Sequence, residues 1–168
     1  IGTGSSAIQS IPIIAAEAAD LTVFQRTANF SVPARNRPSD PAAVARVKSN
    51  YPDYRRRARQ QAAAFGPDNP RGIDSVLAAT PAERQRRFEE YWQLGGFMFL
   101  GAFGDLMLNE EANAYAADFV RSKIREVVKN PETAELLCPK GIIGCKRLCA
   151  DTNYYETYNR ANVHLVDV

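Results

Sequence analysis

The opening stretch, Ile1 to Thr27, constrains this chain more than any other. Ile1 is followed by Gly2-Thr3-Gly4-Ser5-Ser6-Ala7, which puts Gly2, Gly4 and Ala7 at G-x-G-x-x-A spacing. Gly2 permits a tight turn out of a strand. Gly4 has no Cβ and lets a phosphate approach the backbone, and Ala7 is small enough for a helix to lie close on a sheet. The spacing of Ile8, Ile11, Ala15 and Ala18 predicts that helix. Its N-terminal amides and positive dipole end would face the phosphates. Asp20 marks a turn, and Leu21-Thr22-Val23-Phe24 reads as a second strand.

A dinucleotide site of this kind usually has a carboxylate at the end of the second strand, where it holds the ribose hydroxyls. Here that place carries Gln25, Arg26 and Thr27. A carboxylate would repel a 2′-phosphate. A guanidinium grips one through paired, charge-assisted hydrogen bonds, and the Thr27 hydroxyl can add another. The pattern therefore points to NADP rather than NAD.

A chain of 168 residues suits one domain. Its 45% hydrophobic and 24% charged content is that of an ordinary globular protein, and a net charge of +2 gives no cause to expect nucleic acid or an anionic membrane as partner. No apolar run approaches the roughly 20 residues of a membrane span. Cys138, Cys145 and Cys149 are too few and too odd in number for a disulfide framework. They fit a reducing, cytoplasmic setting. Cys145 and Cys149 lack partners for a metal, since His164 is the one histidine and lies in a predicted strand.

The middle of the chain reads as helix. Residues 29 to 38 form a proline-containing connector, and Ser39-Asp40-Pro41 caps the first helix after it. Tyr54 to Phe65 carries Arg55, Arg56, Arg57 and Arg59, a solvated face in preference to a nucleic-acid arm. Gly66 to Gly72 reads as a loop. Thr80-Pro81-Ala82-Glu83 is a capping box opening a helix whose Phe88, Tyr91 and Trp92 form an aromatic face, and Gly95-Gly96 ends it. Phe97 to Met107 reads as buried. Asn109 starts a helix striped by Ala112, Tyr115, Ala116, Phe119, Val120, Ile124 and Val127. Asn130-Pro131 caps a last short one. After Cys138, Gly141 and Gly144 bracket a loop that leads to adjacent Lys146 and Arg147, and Val163 to Val168 reads as a closing strand. The expected fold is α/β: a Rossmann-like NADP-binding domain formed by residues 1–38 and 138–168, interrupted by a helical insertion over 39–137.

Three segments, GTGSSAIQ from Gly2, VFQRTANFSVPARN from Val23 and PKGIIGCKRLCADTNYYETYNRANVHLVDV from Pro139, resemble the NADPH-binding domain of type I Baeyer–Villiger monooxygenases. The likeness is strongest to the phenylacetone, steroid and cyclopentadecanone monooxygenase branch. Trp92, Gly95-Gly96 and Glu111-Ala112-Asn113 match the family's helical insertion. The resemblance implies an enzyme in which NADPH reduces FAD, reduced flavin takes O2 to a flavin peroxide, and a ketone becomes an ester or lactone. It places Gly2, Thr3, Gly4, Ser5, Ser6, Ala7 and Gln9 at the pyrophosphate turn. Arg26, Thr27 and Lys146 fall on the 2′-phosphate, and Arg147 falls at the catalytic arginine. It also implies that flanking FAD-binding parts lie outside this chain, as does the substrate pocket. An N- or S-oxidising NADPH flavin monooxygenase and a non-catalytic NADP-binding remnant are the alternatives.

Overall fold

In a computed structural model, residues 1–61, 72 and 74–168 are described. The predicted Gly66–Gly72 loop, apart from Gly72, and the end of the Arg-rich helix beyond Gln61 lie outside them. The architecture mixes helices with two pairs of parallel strands.

Helix α1 (Ser5–Glu17) starts at Gly4 and buries Ile8, Ile11 and Ala15. Ala18, expected on the same face, is the C-cap. Strand β1 (Leu21–Gln25) follows, burying Leu21, Val23 and Gln25 and exposing Thr22 and Phe24, the alternation that a pleated strand imposes. Its backbone groups also alternate between edges. On one edge lies β4 (Val163–Asp167), parallel to β1, with Leu21 N donating to Asn162 O at 2.8 Å. On the other, Phe24 N donates to Ile1 O at 2.8 Å. The glycine turn is thus held beside the end of β1.

The connector after β1 contains a strand that the sequence reading did not anticipate. Strand β2 (Ser31–Pro33) pairs in parallel with β3 (Cys149–Asp151), matching Ser31 to Cys149 and Pro33 to Asp151. Three residues are too short to show a period, and the partner lies over a hundred residues away. The pair is reinforced from the side: Cys149 N donates to Phe30 O at 3.1 Å and Ala34 N to Asp151 O at 2.7 Å.

The intervening helices are α2 (Pro41–Ser49), α3 (Tyr51–Arg59), α4 (Pro81–Leu94), α5 (Glu110–Val127) and α6 (Pro131–Leu137). Asp40, Asn109 and Asn130 each accept a first-turn amide, and Thr80 and Glu83 form the expected reciprocal box. In α3, Arg56 and Arg57 both pair with Asp53 and Arg55 lies over the Tyr51 ring. The aromatic face of α4 is packing. Phe88 lies 5.3 Å from Phe103 and 5.3 Å from Phe119, centroid to centroid, while Trp92 meets Phe99 and Phe119 edge-on. Of the apolar run after Gly96, Phe99, Ala102, Phe103 and Leu106 are buried, but Phe97 and Met107 are exposed. That run coils as a 3₁₀ turn over Gly96–Gly101 and continues through bends and turns to Leu108, so only one side faces the core. A short helix, α7 (Tyr154–Thr157), packs its tyrosines under α1 and leads to β4.

Among the described residues no helix is long and apolar enough to cross a membrane, and no group of His, Cys, Asp and Glu could hold a metal.

Candidate functional site

The glycine turn opens directly into α1. Gly4 is the N-cap, with an extended φ of −79°, and no side chain caps the first-turn amides. That turn holds no acidic residue either. A Cβ on Gly4 would meet no protein atom within 4 Å. Neither backbone conformation nor internal packing therefore demands glycine here. What glycine leaves is a cradle beside uncapped amides, which suits an anion.

Thr3 ties this turn to the segment after β1, its Oγ1 donating to Thr27 O at 3.3 Å. Arg26 and Thr27 are both exposed next to it, and Arg26 forms no ion pair among the described residues. From the far end of the sequence, β3 brings Lys146 and Arg147 to the same place. Asn29 Nδ2 donates to Arg147 O at 3.4 Å and to Cys149 Sγ at 3.2 Å. Burial pushes the Cys149 thiol up, and the Ser5 hydroxyl beside it works in the opposite direction. Ser5 at the start of α1, Asn29 after β1 and Cys149 at the start of β3 thus meet. The Lys146 and Arg147 side chains are exposed there. Ser6 and Gln9 lie on the exposed side of α1, and Ala7 is half-buried against the core. Among the described residues Arg26, Lys146 and Arg147 form no ion pair, and together with the uncapped start of α1 they give one end of the strands a surface that suits an anion.

No family model matches the chain. A Baeyer-Villiger monooxygenase of Pseudooceanicola batsensis is 44% identical over all of this chain, which covers 31% of that protein. The chain is a homologue of the Baeyer–Villiger monooxygenases. The phenazine N-monooxygenase PhzNO1 of Lysobacter antibioticus is 42% identical, again over the whole chain and 31% of its own length. Among solved structures, an oxidised steroid monooxygenase bound to NADP is 49% identical with a TM-score of 0.88, over 99% of this chain and 32% of that one. OTEMO in complex with FAD and NADP is 42% identical with a TM-score of 0.91, over 99% and 31%. The chain spans about a third of the length of the curated relatives it matches.

Not every feature of this homologue was foreseen from its residues. Asn29 looked like part of a connector, and Asn113 stood out only as part of the match to the family's helical insertion. The structure makes both of them clamps. His164, exposed in β4, pairs with Asp20 at 2.8 Å. Cys138 and Cys149 are buried free thiols and Cys145 an exposed one. Ser31 donates to the buried carboxylate of Asp151, which also accepts from Tyr154 N at 2.9 Å. A cleft of about 460 Å³, bordered by Arg35, Trp92, Lys123, Asp151, Asn153 and Glu156, opens at the carboxyl ends of β2 and β3. None of the residues assigned to the nucleotide lines it. It lies at the other end of β3 from Arg147.

Proposed function

We propose that this chain is the NADPH-binding segment of a longer, FAD-dependent Baeyer–Villiger monooxygenase that inserts one oxygen atom from O2 beside a ketone carbonyl. The observation that carries the proposal is the convergence of the uncapped start of α1, the exposed Arg26 and the Lys146–Arg147 segment on one surface. Homology along the whole chain supports it. The likeness to NADP- and FAD-containing neighbours supports a Rossmann-like unit of residues 1–38 and 138–168, with 39–137 as a helical insertion.

In this reading the residues fit the nucleotide. Gly2, Thr3, Gly4, Ser5, Ser6, Ala7 and Gln9 surround the pyrophosphate, with the α1 amides as donors. Arg26, Thr27 and Lys146 hold the 2′-phosphate. FAD would be held by the part of the protein outside this chain, and when bound it supplies the redox chemistry between NADPH and O2. Arg147 stabilises negative charge that develops on oxygen during transfer. A guanidinium suits that task because it keeps its proton even where water is excluded. Ketone and O2 are the partners, nucleic acid and membrane are not, and unbridged cysteines suit a reducing cytoplasm.

A second reading is supported by the phenazine N-monooxygenase relative: oxidation of a ring nitrogen. One experiment separates the two. The full-length protein is supplied with NADPH, O2 and a panel of ketones and nitrogen heterocycles, and products are identified by mass spectrometry. Esters or lactones from ketones are expected. N-oxides without esters would favour the second reading, and a colourless protein without flavin would favour a non-catalytic remnant.

A further inference from the structure

Residues 139–147 deliver Lys146 and Arg147, yet they form no helix or strand. Side chains from elsewhere hold them. On α5, Arg121 Nε donates to Pro139 O at 2.8 Å. Asn113, eight residues earlier on the same helix, bonds Ile143. Its Nδ2 donates to Ile143 O at 2.9 Å and to Leu106 O at 2.9 Å, and its Oδ1 accepts from Ile143 N at 3.0 Å. Eight helical residues rise about 12 Å, and four extended residues span about 13 Å. Residues 139–143 therefore run along α5 in the reverse direction, fastened at both ends.

Asn113 is 3% exposed in a helix stripe that is otherwise apolar. An apolar side chain there would leave three backbone groups without partners, while the amide satisfies all three and uses both of its donors. Beyond Ile143 the chain turns at Gly144, whose φ is +94° and whose missing Cβ leaves room for Met107. On the far side, Asn29 holds Arg147 O. Cys145, Lys146 and Arg147, all exposed, are thus suspended between two side-chain amides, one on each flank.

We propose that Asn113 and Asn29 are positioning residues that fix where the Arg147 guanidinium is presented, Asn113 from the N-terminal flank and Asn29 from the C-terminal flank. The inference deepens the proposed function and rests on its reading of Arg147. Neither amide touches the reacting atoms. Each acts through the backbone it holds.

The test compares Asn113→Ala, Asn29→Ala and Arg147→Ala in the full-length enzyme, with three readouts: amide hydrogen exchange over 141–147, NADPH consumption, and oxygenated product per NADPH. Both asparagine variants should speed exchange over 141–147 by roughly ten-fold or more, since they release a local tether. Product per NADPH should fall steeply, by up to about 100-fold, because a misplacement of about 1 Å suffices for such a loss. At saturating NADPH, which offsets any weakening through Lys146 on the same segment, NADPH consumption should stay within about three-fold of the parent; a general folding defect would instead lower consumption and yield together. Should Asn113→Ala fail to fold, half-buried Asn29 decides by the same readouts. Unchanged exchange would overturn the tether, and faster exchange with unchanged yield would overturn the positioning role. Full yield from Arg147→Ala would instead sink the reading of the arginine, while the exchange result would stand on its own.

Discussion

Gly95 and Gly96 sit side by side after α4, both with positive φ, +78° and +60°. Their surroundings differ. A Cβ on Gly96 would meet nothing within 4 Å. A Cβ on Gly95 would lie 2.8 Å from Pro33 O and 2.7 Å from Arg35 Cβ, and would overlap Arg35 Cγ. Arg35 could swing its outer stem away, but the Pro33 carbonyl belongs to β2 and cannot. Alanine at Gly96 should therefore cost only the left-handed strain, about 1–2 kcal/mol. Alanine at Gly95 adopts a conformation essentially reserved for glycine, φ +78° and ψ 176°, which costs about 1–3 kcal/mol. Overpacking against β2 adds about 1–3 kcal/mol. The sums are about 2–6 kcal/mol against 1–2, with a central gap near 2.5 kcal/mol. At roughly 1 °C per kcal/mol for a protein about three times the length of this chain, the gap corresponds to about 2–3 °C in Tm. Thermal unfolding of the two single variants in the full-length protein measures it. Equal losses would refute the claim that the close approach of β2, rather than the turn itself, requires Gly95.

Other consequences follow from the core and the buried carboxylate. Phe88→Ala opens a cavity in the aromatic cluster between α4 and α5 and should cost about 3–5 kcal/mol by denaturant titration, whereas Phe88→Leu should cost less than half as much. Burial raises the Asp151 carboxyl above its ordinary value of 3.8, with the Ser31 hydroxyl and the Tyr154 amide opposing. Between the unfolded pKa and the raised folded one the native state holds more protons, so this contribution is full below the unfolded pKa and is lost as pH rises through the folded pKa. Asp151→Asn should remove that decline, shifting the stability difference in favour of the variant as pH rises; a difference that does not change with pH would count against it. Thr80→Ala removes half of the capping box and should cost about 1 kcal/mol.

The sequence showed the elements whose causes are local. The alternation of Leu21 to Gln25, the capping box at Thr80 and the stripe of α5 are each written within one or two turns of chain. So was the glycine turn, with Arg26 placed by the strand it follows. The pairing of β2 with β3 was hidden because three residues carry no period and the pairing is decided by Asn29, Phe30 and Asp151 acting across the fold. Asn113 was hidden for a related reason. A helix stripe shows which face is buried, but a buried amide can be understood only once the backbone groups it satisfies are in place. The exposure of Phe97 followed from a 3₁₀ turn, and that of Met107 from the turn after it, which apolar composition alone does not reveal.

The most direct test of the central claim is the discrimination between NADPH and NADH at Arg26. Binding of both nucleotides is measured by calorimetry on the full-length protein and on Arg26→Ala. Loss of charge-assisted bonds to the 2′-phosphate should weaken NADPH by about 1.5–3 kcal/mol, roughly 10–150-fold, and leave NADH nearly unchanged. Equal losses for both nucleotides, or none for either, would contradict the assignment of this surface to the 2′-phosphate.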